Sequence, residues 1–152
     1  MIKLIASVVI CQLAGVIGAF FTTPAISGWY KGLNKPAFNP PNWLFGPAWT
    51  FLYFLMGVSL YLVWNKKNSK QKKTALIFFV IQLGLNILWS IIFFGLRLPL
   101  VAFLEIIILW LFILLTIIKF FPISKKSAYL LIPYLLWVTF ASVLNFYIVR
   151  LN

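Results

Sequence analysis

Apolar positions in this chain run in long blocks instead of alternating. Leu4–Tyr30, Pro36–Asn65, Thr74–Leu96 and Ser127–Val149 hold no charged residue, and Leu98–Ile118 holds only Glu105. A helix needs about 20 apolar residues to cross hydrocarbon. The blocks therefore predict five spanning helices, over 3–23, 43–64, 74–96, 99–120 and 127–149. The expected fold is an all-α integral membrane bundle, one transmembrane domain over residues 1–152, with no segment left over for a soluble domain. Leu4–Phe21 follows Lys3 and could pass for a signal peptide. It is longer than a usual signal core and lacks a clear Ala-x-Ala site, so it is expected to remain as the first helix.

Polar positions inside the blocks recur at helical spacing. Gln82, Asn86 and Ser90 stand four residues apart, with Trp89 and Phe93 beside them; Tyr134, Trp137, Ala141 and Asn145 form a second stripe, and Trp49, Tyr53 and Gly57 a third. Polar groups in hydrocarbon need partners, so these faces point into the bundle. They fit either packing between helices or an apolar pocket with a few orienting polar groups. In the first block Ser7, Cys11, Gly15 and Ala19, with Ala14 and Gly18, make small-residue ladders that permit close helix contact, here expected within one chain.

Between the first two spans, Trp29–Trp49 combines three Trp, one Tyr, two Phe and four Pro (Pro36, Pro40, Pro41, Pro47). Proline removes backbone donors and biases its predecessor toward extended backbone. The segment is too broken to span a membrane and too aromatic to be an indifferent linker. It suits the membrane interface or a lid over a flat, greasy ligand.

Net charge is +12, and its placement sets the expected topology. With five alternating spans, Lys3, Lys66, Lys67, Lys70, Lys72, Lys73, Lys119, Lys125 and Lys126 share one face; Lys31, Lys35, Arg97 and Arg150 share the other. The positive-inside bias then puts the N-terminus in the cytoplasm, and the aromatic loop and C-terminus outside the cell membrane. The cluster Lys66–Lys73 is read as a topology signal; anionic lipid or nucleic acid is its sharper alternative, and no nucleic-acid partner is expected.

The inventory excludes much chemistry. There is no His, no Asp, one Cys (Cys11) and one acid (Glu105). Metal cages, paired-carboxylate hydrolysis, Ser–His–Asp triads and Cys–His nucleophiles all lack their parts. No phosphate-cradling Gly-x-x-x-x-Gly-Lys loop is present. No metal site and no permanently bound cofactor are expected. Glu105 is an intramembrane acid and so a candidate functional group; pairing with Arg97, or a hydrogen bond to a neighbour, is the plainer expectation.

These residues together resemble the TspO/MBR family of tryptophan-rich sensory and translocator proteins, once called peripheral benzodiazepine receptors. The resemblance runs through Trp29-Tyr30…Leu33-x-Lys35-Pro36, Pro40-Pro41-x-Trp43…Gly46-Pro47-x-Trp49…Leu52-Tyr53, Gln82-Leu83-x-Leu85-Asn86…Trp89, Phe93-Phe94-Gly95, Pro133-Tyr134-Leu135…Trp137…Phe140 and Leu144-Asn145. A short chain with a minimal N-terminus suggests a bacterial member. The resemblance implies a five-helix bundle, often a homodimer, with a pocket beneath the first loop. It implies binding of protoporphyrin IX or other tetrapyrroles and of benzodiazepine-site ligands, with light- and oxygen-dependent porphyrin breakdown in bacterial members. Trp49 and Trp137 match the tryptophans tied to that chemistry. One departure weakens a sterol reading: the family's Tyr directly after Leu-Asn is Phe146 here, with Tyr147 one residue later.

The expected function is thus a membrane protein that binds a tetrapyrrole and promotes its photo-oxidative degradation, with Trp49 and Trp137 as redox-active groups. Tyr30, Pro41, Phe45, Trp49, Tyr53, Asn86, Trp89, Ser90, Trp137, Ala141 and Asn145 are the expected ligand-binding residues. The alternative is a transporter or regulatory sensor of such lipophiles, without chemistry. A proton-coupled exporter using Glu105 is a third, weaker class.

Overall fold

The computed structural model describes residues 1–152. It has no strand; five helices are long and apolar enough to cross a membrane: α1 (Ile2–Ser27), α2 (Asn42–Trp64), α3 (Lys70–Gly95), α4 (Pro99–Phe120) and α5 (Lys125–Leu151). The expected spans 43–64 and 99–120 agree with α2 and α4 almost to the residue. α1 runs about one turn beyond 23, through Pro24, because a proline so near the helix end removes little of the backbone ladder. α3 begins at Lys70 with the Ser69 hydroxyl accepting from the Lys72 amide. α5 begins at Lys125 with Ser124 capping Ser127 in the same way, and it breaks at Leu131, just before Pro133.

The helices close a ring in the order α1, α2, α5, α4, α3 and back to α1. We call the end carrying residues 28–41 the loop end and the end carrying Lys66–Lys73 the lysine end. Two glycines let α1 sit against α2. A Cβ on Gly57 would lie 2.6 Å from the Val8 Cα, and one on Gly15 would lie 2.7 Å from the Tyr53 ring. Ser7, Cys11, Ala14 and Gly18 are buried in the bundle, so the small-residue ladder packs within the chain as expected.

At its loop end α3 winds from Ile91 to Gly95 as a π-helical turn. One extra residue per turn shifts the side-chain register there, and Phe93 and Phe94 turn toward α1 and the loop. The link to α4 follows through Arg97, whose φ of 58° is left-handed, and Pro99 opens α4 at the position where its missing N–H costs least.

Candidate functional site

The loop end of the ring encloses a cavity of about 510 Å³. Four helices and the loop line it; α4 does not. α2 contributes Phe45, Trp49 and Tyr53, α3 contributes Trp89, Ser90, Phe93 and Phe94, and α5 contributes Trp137, Phe140, Ala141, Leu144 and Asn145. α1 supplies the small wall, Gly15, Gly18 and Ala19, with Thr22 and Ile26 nearer the loop.

Aromatic rings give the cavity its shape. Trp49 and Trp137 stand edge to face, centroids 6.3 Å apart at 86°. Trp49 also stacks on Tyr53 at 5.5 Å and meets Tyr134 edge-on at 6.3 Å. Phe45 lies against Trp137 and Tyr30, and Trp89 stacks on Phe93. Offset and edge-to-face pairs suit the ring quadrupoles. They also hold two indoles in a fixed relation from two different helices.

Behind the aromatic floor lies a buried polar chain. The Tyr53 hydroxyl donates to Asn86 Oδ1, Asn86 Nδ2 donates to the Tyr134 hydroxyl (2.9 Å), and that hydroxyl donates to Gln82 Oε1 (2.8 Å). Asn86 is therefore spent on joining α2, α3 and α5 and does not line the cavity. Pro41 is also outside the lining; it precedes α2 as its N-cap and is exposed. Asn145 does line the cavity, yet both ends of its amide are engaged. It accepts from Trp89 Nε1 (3.0 Å) and donates to the Pro99 carbonyl (2.9 Å), tying α5 to α3 and α4. The other nine expected binding residues, from Tyr30 to Asn145, converge on this one space.

The loop covers the cavity on a set of specific contacts. Tyr30 is 2% exposed; its hydroxyl donates to Asn39 Oδ1 at 2.8 Å and its ring lies against Phe93 and Phe94. Burial pushes the Tyr30 phenol up to about 12, against the lowering effect of the Asn39 bond. The Lys35 ammonium sits 4.8 Å from the Tyr30 ring centroid and donates to the carbonyls of Tyr30 (2.8 Å) and Leu33 (3.1 Å). Asn34 and Asn152 exchange hydrogen bonds, and Phe38 meets Phe140 and Tyr147. The proline segment is thus a fixed lid.

Two further expectations change. Glu105 does not pair with Arg97 or hydrogen-bond a neighbour: both its carboxyl oxygens are buried without a protein partner, while Arg97 is exposed at the α3–α4 turn. The stripe Gln82–Asn86–Ser90 serves two purposes, packing at Gln82 and Asn86 and cavity lining at Ser90. The sequence reading missed the α1 wall. Its glycines look like helix contacts, which they also are, and only the ring order shows that Gly15 and Gly18 face the cavity.

Comparison with known proteins finds relatives over nearly the whole chain. The TspO/MBR family profile matches residues 7–151. The chain is 50% identical to a tryptophan-rich protein TspO of Archaeoglobus fulgidus, over 99% of this chain and 97% of that one. It is 42% identical to a tryptophan-rich sensory protein of Cereibacter sphaeroides, over 89% of this chain and 85% of that one. It is also similar to the human translocator protein, at 36% identity over 92% of this chain and 86% of that one. With a family match over nearly its whole length and five membrane-crossing helices, this chain belongs to the TspO/MBR family.

Proposed function

We propose that the cavity binds a tetrapyrrole such as protoporphyrin IX, and related flat lipophiles of the benzodiazepine-site type, and that the bound porphyrin is degraded in a light- and oxygen-dependent reaction. The observation that carries this reading is the Trp49–Trp137 pair, two indoles from α2 and α5 edge to face at 6.3 Å on the wall of one cavity. A volume of about 510 Å³ falls within the ~300–1,000 Å³ usual for compact organic ligands. No lining residue is charged, so the ligand's carboxylates stay hydrated at the mouth while its ring enters.

The photoexcited ligand and dioxygen supply the oxidising power. The protein holds the ring beside indoles able to give up one electron each. Trp89 and Trp110 use their N–H groups on Asn145 and Thr139, whereas no such bond occupies those of Trp49 and Trp137, which are left to meet the ligand. Tyr53 and Tyr134 brace Trp49, and Phe45 and Phe140 brace Trp137, while Tyr30 of the lid forms part of the cavity wall.

The test replaces both Trp49 and Trp137 with Phe. Protoporphyrin IX should still co-purify, and illumination should no longer bleach its absorbance or yield oxidised products by mass. Unchanged bleaching in the double variant would overturn the assigned roles. The relatives' names, sensory protein and translocator, favour the second reading, a carrier or sensor. It predicts chemically intact ligand after illumination, with flux across vesicles or ligand-dependent partner binding. The homodimer implied by the resemblance, and an orientation with the lysine end in the cytoplasm, belong to the same proposal. Crosslinking and protease access at residues 66–73 test them.

A further inference from the structure

At the lysine end a second depression, about 850 Å³, runs between the end of α2 and the start of α3. Its rim is polar: Asn68, Ser69, Lys70 and Lys73. Its wall is apolar: Leu76, Ile77, Val80 and Ile81 on α3, facing Trp64 of α2. The Lys3 ammonium lies 5.9 Å from the Trp64 ring centroid. Lys72 braces the rim, donating to the Lys66 carbonyl (2.8 Å) and to Asn68 Oδ1 (3.1 Å), while Lys70 and Lys73 are exposed.

We propose that this groove binds an anionic phospholipid, its phosphodiester against Lys70 and Lys73 and one acyl chain along α3. Three observations choose this occupant. First, the cations have no counter-charge within the chain: the single acid among 152 residues is Glu105, buried on α4. Second, the polar rim passes directly into an apolar wall, the order in which a phospholipid presents headgroup and tail. Third, the exposed stripe of α3 continues past the groove through Gly84 and Leu88. From Leu76 to Leu88 it covers about 18 Å of helix, close to the length of an acyl chain, and no Cβ at Gly84 interrupts it. A topology signal needs lysines near this membrane surface but no groove; here a juxtamembrane cluster sits beside an apolar groove.

The test uses the purified full chain in detergent, with phosphatidylglycerol or phosphatidylcholine added and retained lipid counted by native mass spectrometry. The wild type should keep phosphatidylglycerol preferentially. Lys70→Gln with Lys73→Gln should lower that retention about tenfold or more. Lys125→Gln with Lys126→Gln, the same charge change at the same end, should leave it intact. Val80→Trp, which blocks the wall without altering charge, should also lower it, and it keeps the test decisive if the double lysine variant fails to fold. Equal loss in both lysine pairs would reduce the effect to diffuse attraction and overturn the proposal. So would equal retention of the two lipids by the wild type, or full retention in Val80→Trp. Release of the lipid by millimolar inorganic phosphate would show a site for free phosphate instead, and would equally overturn it.

Discussion

The two ends of the helix ring are built on opposite terms. Toward the lysine end, Leu60 and Val63 of α2, Ala75 and Phe79 of α3, Ile113, Thr116 and Phe120 of α4, and Ser127, Ala128 and Leu131 of α5 are all buried. Phe79 and Phe120 stack at 8°, and Ser59 and Ser127 each donate to the other's carbonyl, at 2.8 and 2.7 Å. Toward the loop end α2, α3 and α5 carry Trp49, Trp89 and Trp137, yet with α1 they leave about 510 Å³ unfilled. At the loop end large rings brace one another edge to face beside a gap; at the lysine end Phe79 and Phe120 stack nearly parallel, and Ser59 and Ser127 let α2 and α5 close on each other. The loop end gives up packing and leaves space, whereas the lysine end is filled.

Substitutions at the joints between these ends sharpen the contrast. The largest effect is expected at Gly57, where a side chain meets the Val8 backbone itself at 2.6 Å. Gly57→Val should part α1 from α2 and destabilise the bundle by about 3 kcal/mol, read as a lower midpoint of thermal unfolding in detergent. Asn86→Leu comes next. It strips the partner from the Tyr53 hydroxyl, at about 1–3 kcal/mol for a buried group left unsatisfied, and removes one of the two bonds at the Tyr134 hydroxyl, which keeps Gln82. Stability and ligand affinity should fall together, because both rings also support Trp49.

Gly15→Ala should separate the two properties. Its Cβ meets the side chain of Tyr53 and not backbone, so the fold should survive while the cavity floor shifts. Ligand affinity should drop about tenfold, the equivalent of ~1.4 kcal/mol, in a titration read by absorbance. The smallest effect concerns Tyr30. Its phenol titrates near 12 in the folded lid, above the ordinary value of 10. The unfolded chain therefore loses that proton first, and the stability tied to the neutral phenol is whole below about pH 10 and lost as pH rises through 12. Subtracting the alkaline stability profile of Tyr30→Phe from that of the wild type should reveal a component confined to that window. A flat difference would mean that the lid's seat does not depend on this hydroxyl.

Much of this was readable from residue order, for reasons particular to each element. Charge-free blocks of membrane length leave few alternatives to spanning helices, so α2 and α4 were bounded well. Trp49 and Tyr53, and Trp137 and Ala141, lie one turn apart and share a face, which is why they converge as expected. A stripe at four-residue steps drifts about 40° per step on a 3.6-residue helix. Over Gln82, Asn86 and Ser90 that drift carries the row from the α5 contact to the cavity, so the stripe could not be assigned to one task. The π-helical turn at Ile91–Gly95 left no mark in spacing. The α1 wall was hidden because a glycine that admits a neighbouring helix looks the same, in one dimension, as a glycine that opens a cavity.

The placement of the seven tryptophans also equips the protein with its own optical reporter. Trp43, Trp49, Trp89 and Trp137 line the cavity, whereas Trp29, Trp64 and Trp110 do not. An absorbing guest that enters should quench the first group most strongly, so occupancy is readable from intrinsic emission without any attached dye.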